Sequence, residues 1–100
     1  MNDTQINSLI EEIKQDQHIS PNEDDETIKN YIKEAEYDIN DATGNEIDYE
    51  QDLKARSLLK NYVFYARFGR LAEFKQLYGG EYAYLQAIYY KPTDVQWWEI

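Results

Sequence analysis

The sequence predicts an all-α fold: a small bundle of four to five helices around a central helix at about residues 49–68, with an extended C-terminal tail. Three observations predict it. Apolar residues recur at helical spacing in successive segments, and the breaks between segments fall at Pro21, Gly44, Gly69, Gly79-Gly80 and Pro92. Within Asp52–Gly69, Ala55, Leu58, Leu59, Tyr62, Val63, Tyr65 and Ala66 fall inside an arc of about 160°, with Leu53, Phe64 and Phe68 outside it. A helix apolar over so much of its circumference is a central one, covered from several sides.

The first helix is expected over residues 3–17. Ile6, Leu9, Ile10 and Ile13 share a face, Glu11, Glu12 and Lys14 point outward, and Asp3 or Thr4 is the cap. Pro21 disfavours helix just ahead of it. The acidic cluster Glu23 to Glu26 reads as the cap and first turn of a second helix over about 25–43. Its apolar run is Ile28, Tyr31, Ile32, Ala35, Ile39 and Ala42, and Gly44 stops it. Asn45-Glu46-Ile47 is a short linker, and Asp48 with Gln51 matches a capping box for the central helix. So short a connection makes helices two and three antiparallel neighbours. Leu71, Phe74, Leu77 and Tyr78 mark a helix of about two turns. Gly79-Gly80 is expected to break it before Glu81 opens another, whose Leu85, Ile88 and Tyr89 share a face. Residues 1–91 then form the helical domain and 92–100 a tail.

A chain of 100 residues is one domain. It has no cysteine, which removes disulfides and thiolate metal sites. No segment approaches a membrane span, and Met1 to Asp16 lacks the regions of a signal peptide, so a soluble protein made in the cytoplasm is expected, without a membrane partner. The net charge of −10 argues against general nucleic-acid binding. Residues 1–52 carry 16 acidic and 3 basic side chains, giving −13; residues 53–100 carry 4 and 7, giving +3. Such asymmetry invites head-to-tail packing between copies.

Catalytic groups are missing. His18 is the single histidine and lies at the end of helix one, so no histidine triad or histidine metal site can form. Asp38, Asn40 and Asp41 before Gly44 do not meet the calcium-loop pattern, and no phosphate-binding glycine loop occurs. No enzyme activity, cofactor or metal is expected. Two surfaces remain. Arg56, Lys60 and Arg67 form a narrow basic stripe on the central helix, expected to meet Glu34, Asp38 and Asp41 of a neighbouring copy because the acidic excess has no other partner within the chain. The second is the apolar tail with Val95, Trp97, Trp98 and Ile100, which either folds back on its own core or anchors to a partner; the partner is favoured, since tryptophan is a common interface anchor.

The succession Leu9-Ile10…Ile13-Lys14, then Asp24-Asp25 ahead of Ile28…Tyr31-Ile32…Ala35-Glu36…Ile39…Thr43-Gly44, then Tyr62-Val63…Tyr65…Gly69, resembles the head–tail connector (head-completion adaptor) proteins of tailed bacteriophages. The resemblance covers roughly residues 6–90. It implies a structural virion protein that forms a ring, usually dodecameric, below the portal at the head–tail junction. Such a ring extends the DNA channel without specific DNA binding and seats a downstream completion or tail protein. It also implies that Val95, Trp97, Trp98 and Ile100 reach into the portal protein. A rival reading of the charge is a monomeric acidic regulator that mimics DNA.

Overall fold

The computed structural model of the protein describes residues 1–91. Among these, five helices and no strands are found: α1 (Asp3–Asp16), α2 (Asp25–Thr43), α3 (Leu53–Arg67), α4 (Leu71–Leu77) and α5 (Gly79–Ile88). None is long and apolar enough to cross a membrane. The expected all-α architecture is therefore observed.

Helix α3 is the hub. Ala55, Leu58, Leu59, Tyr62, Val63 and Ala66 are buried, while Leu53, Phe64 and Phe68 stay exposed, as their angular positions predict. It packs along α2 and against α4, and it is ion-paired to α1. The core is continued by Ile6, Leu9, Ile10 and Ile13 of α1 and by Ile28, Ile32, Ala35 and Ile39 of α2.

The ends of α2 follow the sequence closely. Asp24 caps it, accepting from the Glu26 amide at 2.9 Å, with Asp25 and Glu26 in the first turn where the helix dipole favours carboxylates. Gly44 ends it in the left-handed conformation at φ 70°, which lets the Asn45 amide reach back to the Asn40 carbonyl at 3.2 Å.

Elsewhere the details differ from expectation. Asn2, not Asp3 or Thr4, caps α1, in a reciprocal pairing with Gln5. Lys14 does not point outward. It is 6 % exposed and donates to the Pro21 and Glu23 carbonyls, each at 3.2 Å, while pairing with Asp25. The long stem lies in the core and the ammonium ties the α1–α2 loop to both helices.

Helix α3 begins at Leu53, after a longer connection than the three residues expected. Asp48 starts an isolated turn instead of the helix, and Asp52 caps α3 through the Ala55 amide at 3.0 Å. The cause is Tyr49, whose ring is buried and whose hydroxyl donates to Asn40 Oδ1 at 2.8 Å, so the turn is held against α2 before the helix can start.

The break between α4 and α5 also moves. Both glycines are helical and open α5; the bend is at Tyr78, whose amide closes α4 on Phe74 and whose carbonyl accepts from Tyr82. The Tyr78 ring stacks on Phe74 with centroids 4.9 Å apart, so aromatic packing sets the bend. On α5, Leu85 is buried and Tyr89 half-buried, but Ile88 is exposed rather than sharing their covered face.

Candidate interaction surfaces

The basic stripe faces helix α1. Arg56 donates through Nε to Glu12 Oε2 at 2.8 Å, with Nη2 at 2.7 Å from the same oxygen, and its Nη1 reaches the Tyr49 carbonyl at 3.3 Å. Lys60 Nζ lies 2.7 Å from Asp16 Oδ2 and 3.7 Å from Glu12 Oε2. Arg67 donates to Gln17 Oε1 at 3.2 Å, and Gln17 Nε2 donates to the Lys60 carbonyl at 3.0 Å. The stripe and α1 thus form one intramolecular seam. The premise that the acidic excess has no partner within the chain does not hold for Glu12 and Asp16.

Nor does it hold for Asp38. That carboxylate pairs with Lys75 of α4 and accepts from the Tyr82 hydroxyl of α5, joining three helices. A second polar tie closes the other end of α5. Tyr89 donates to Asp52 Oδ2 at 2.6 Å, its carbonyl accepts from Asn45 at 3.0 Å, and Gln86 donates to the Ala42 carbonyl at 3.1 Å.

These ties raise the tyrosine pKa values. Burial, then the hydrogen bond to Asp38, pushes Tyr82 up; burial and the nearby Glu36 charge push Tyr49 up. The bond to Asp52 raises Tyr89 from 10.0 to about 12. The folded pKa exceeds the unfolded one, so this stabilisation is complete below pH 10 and is lost as pH rises from 10 through about 12. Alkaline unfolding is expected in that window, and Tyr89→Phe should make the decline shallower. Melting temperature against pH for both proteins checks this; identical slopes would exclude Tyr89 as a contributor.

Glu34 and Asp41 are exposed on α2, with no ion pair among the described residues. Between them in sequence lies Tyr37, 75 % exposed, on the side of α2 opposite Ile32, Ala35 and Ile39. Beside it opens a broad cleft of about 810 Å³ walled partly by Glu36, Asp41, Glu46 and Asp48. On the outer side of α3, a second groove of about 450 Å³ runs between α3 and α5, over Ser57, Asn61 and Gly80. Lys54 stands at its edge with Nζ 4.1 Å from the Tyr84 ring centroid. Sequence reasoning missed Tyr37 and this groove; an aromatic residue diametrically opposite the apolar stripe of α2 was the available signal. Val95, Trp97, Trp98 and Ile100 lie outside the described residues.

The fold presents interaction surfaces on a helical scaffold, and the sequence now places it. The family model of the Phage gp6-like head-tail connector protein matches residues 7–74. That span runs from α1 to Phe74 and takes in the three helices of the core, most of the chain. The chain belongs to this connector family. No curated protein and no solved structure matches it. A connector is a structural, non-enzymatic component of the phage particle, and membership implies dealings with the portal and tail sides of the head–tail junction.

Proposed function

We propose that this connector assembles as a ring, dodecameric in the virion, below the portal, where it extends the DNA channel and seats a downstream completion or tail protein. Family membership over residues 7–74 is the observation that carries the reading. The surface chemistry supports it. Most basic side chains are engaged within the chain, by carboxylates for Lys14, Arg56, Lys60, Arg70 and Lys75, so the outward surface keeps the acidic excess. Like charge lets DNA pass a channel wall without adhering to it.

Of the residues proposed for contacts between subunits, Glu34 and Asp41 stand free on α2, while Asp38, Arg56, Lys60 and Arg67 first serve the monomer. Val95, Trp97, Trp98 and Ile100 are proposed to anchor the portal protein. Truncation after Pro92 should leave the helical signal and melting temperature unchanged, because α5 is already fixed to Asn45 and Asp52 by Tyr89. It should abolish co-sedimentation with purified portal protein. Undiminished binding by the truncated chain would remove the anchoring role, and failure of the full chain to bind any portal ring would count against the connector assignment itself.

A further inference from the structure

The two outward surfaces described above carry matching patterns. On α2, Lys33, Tyr37 and Asp41 follow one another at intervals of four residues, so they line one face within about 12 Å, in the order cation, aromatic, anion. All three are exposed, and among the described residues neither Lys33 nor Asp41 has an ion-pair partner. The groove between α3 and α5 has the reverse order. Glu81 lies in the first turn of α5, Tyr84 and Lys54 lie further toward the C-terminal end of that helix, and the lining between combines Leu58 and Leu85 with Ser57, Asn61 and Gly80. Glu81 and Lys54 likewise have no ion-pair partner among the described residues.

The two surfaces lie on different sides of the subunit. Tyr37 stands opposite the core face of α2, whereas Ser57 and Phe64 stand opposite the core face of α3. Helix α3 holds no carboxylate, and Leu58 of that helix with Tyr78 and Leu85 gives the groove its apolar lining. A partly apolar groove edged by one lysine and one glutamate suits a partner that brings an aromatic knob between an anion and a cation.

We propose that the α3–α5 groove receives the α2 face of a second copy of this chain, Tyr37 entering the groove with Asp41 set against Lys54 and Lys33 against Glu81. The inference rests on the ring reading and supplies the contact within it. Because the two faces differ, the contact is heterologous: each copy uses its α2 face toward one neighbour and its groove toward the other, the arrangement from which rings close. Tyrosine fits the anchor role, since it buries a large apolar area while its hydroxyl stays hydrogen-bonded. The opposed charges fix the direction in which the helix lies.

The chain has no cysteine, so engineered pairs report without background. Asp41→Cys and Lys54→Cys are introduced singly and together into the full chain, oxidised in the presence of portal protein, and resolved without reductant. The double variant should give a ladder of dimers, trimers and larger species. Neither single variant should cross-link, and a mixture of the two should stop at dimers. In sedimentation, Tyr37→Ala should raise the concentration needed for assembly by at least about tenfold while its melting curve stays that of the native chain. Dimers from Lys54→Cys alone would show a two-fold groove-to-groove contact and overturn the proposal. Oligomers that form without any ladder would overturn this interface and leave the ring intact. A chain that stays monomeric with and without portal would overturn both.

Discussion

Phe74→Ala is expected to cost about 3–5 kcal/mol of folding stability, the range for removing a large aromatic side chain from a core that cannot close over the gap. Phe74 is fully buried on a helix of only seven residues. Its ring centroid lies 5.4 Å from that of Tyr62, 5.8 Å from Tyr65, 4.9 Å from Tyr78 and 6.0 Å from Tyr82, so α3, α4 and α5 all meet on it. Helix α4 has no side-chain cap and is too short to persist without packing. The loss should therefore appear first as release of α4 and α5, with the Lys75–Asp38–Tyr82 contact broken alongside. Chemical denaturation gives the energy, and amide exchange gives the order: α4 and α5 should exchange before α2. Simultaneous exchange of all helices would show that the aromatic box belongs to one cooperative core.

Arg56→Glu should destabilise the monomer by about 2 kcal/mol, somewhat less than the 3–5 kcal/mol of a fully buried pair because Glu12 is 37 % exposed. The Arg56 side chain is only 17 % exposed, and the new carboxylate would face Glu12 with only Lys60, 3.7 Å from Glu12 Oε2, to offset the repulsion. Lys60 would be left as the sole nearby cation, and the donor to the Tyr49 carbonyl would vanish. This differs from what the charge asymmetry alone suggests, namely that the stripe acts between subunits and that its reversal weakens assembly more than the monomer. The companion change Glu12→Arg in the same chain should restore much of the loss. A double variant no more stable than Arg56→Glu would show that packing of the guanidinium, rather than its charge, matters.

How far the sequence carried can be seen element by element. Helix α2 was legible to the residue, because its acidic cap, its four-residue apolar rhythm and its terminal glycine all act locally. The start of α3 was not, because a tertiary contact decides it: Tyr49 is drawn onto Asn40, and that contact outranks a locally reasonable capping box. The glycine pair misled for a related reason, since the stacking of Tyr78 on Phe74 placed the bend one residue earlier. Composition located the stripe of Arg56, Lys60 and Arg67 and the acids of α1, yet linear sequence does not reveal that Arg56 and Lys60 face Glu12 and Asp16 from 44 positions away. Tyr37 was legible as an aromatic residue opposite the apolar stripe of α2, and its exposure in the structure bears that out.

The seam between α1 and α3 bears on when assembly happens. Arg56, Lys60 and Arg67 are already engaged by Glu12, Asp16 and Gln17, so in the proposed ring this stripe adds no charge pairing between copies. Two free copies would share only the one proposed contact between the α2 face and the groove. In the proposed ring each copy would gain two neighbours and a seat on the portal at once, so that effective concentration would replace affinity. The arginine and lysine side chains that hold the first helix in place would thereby leave ring formation to wait for the portal.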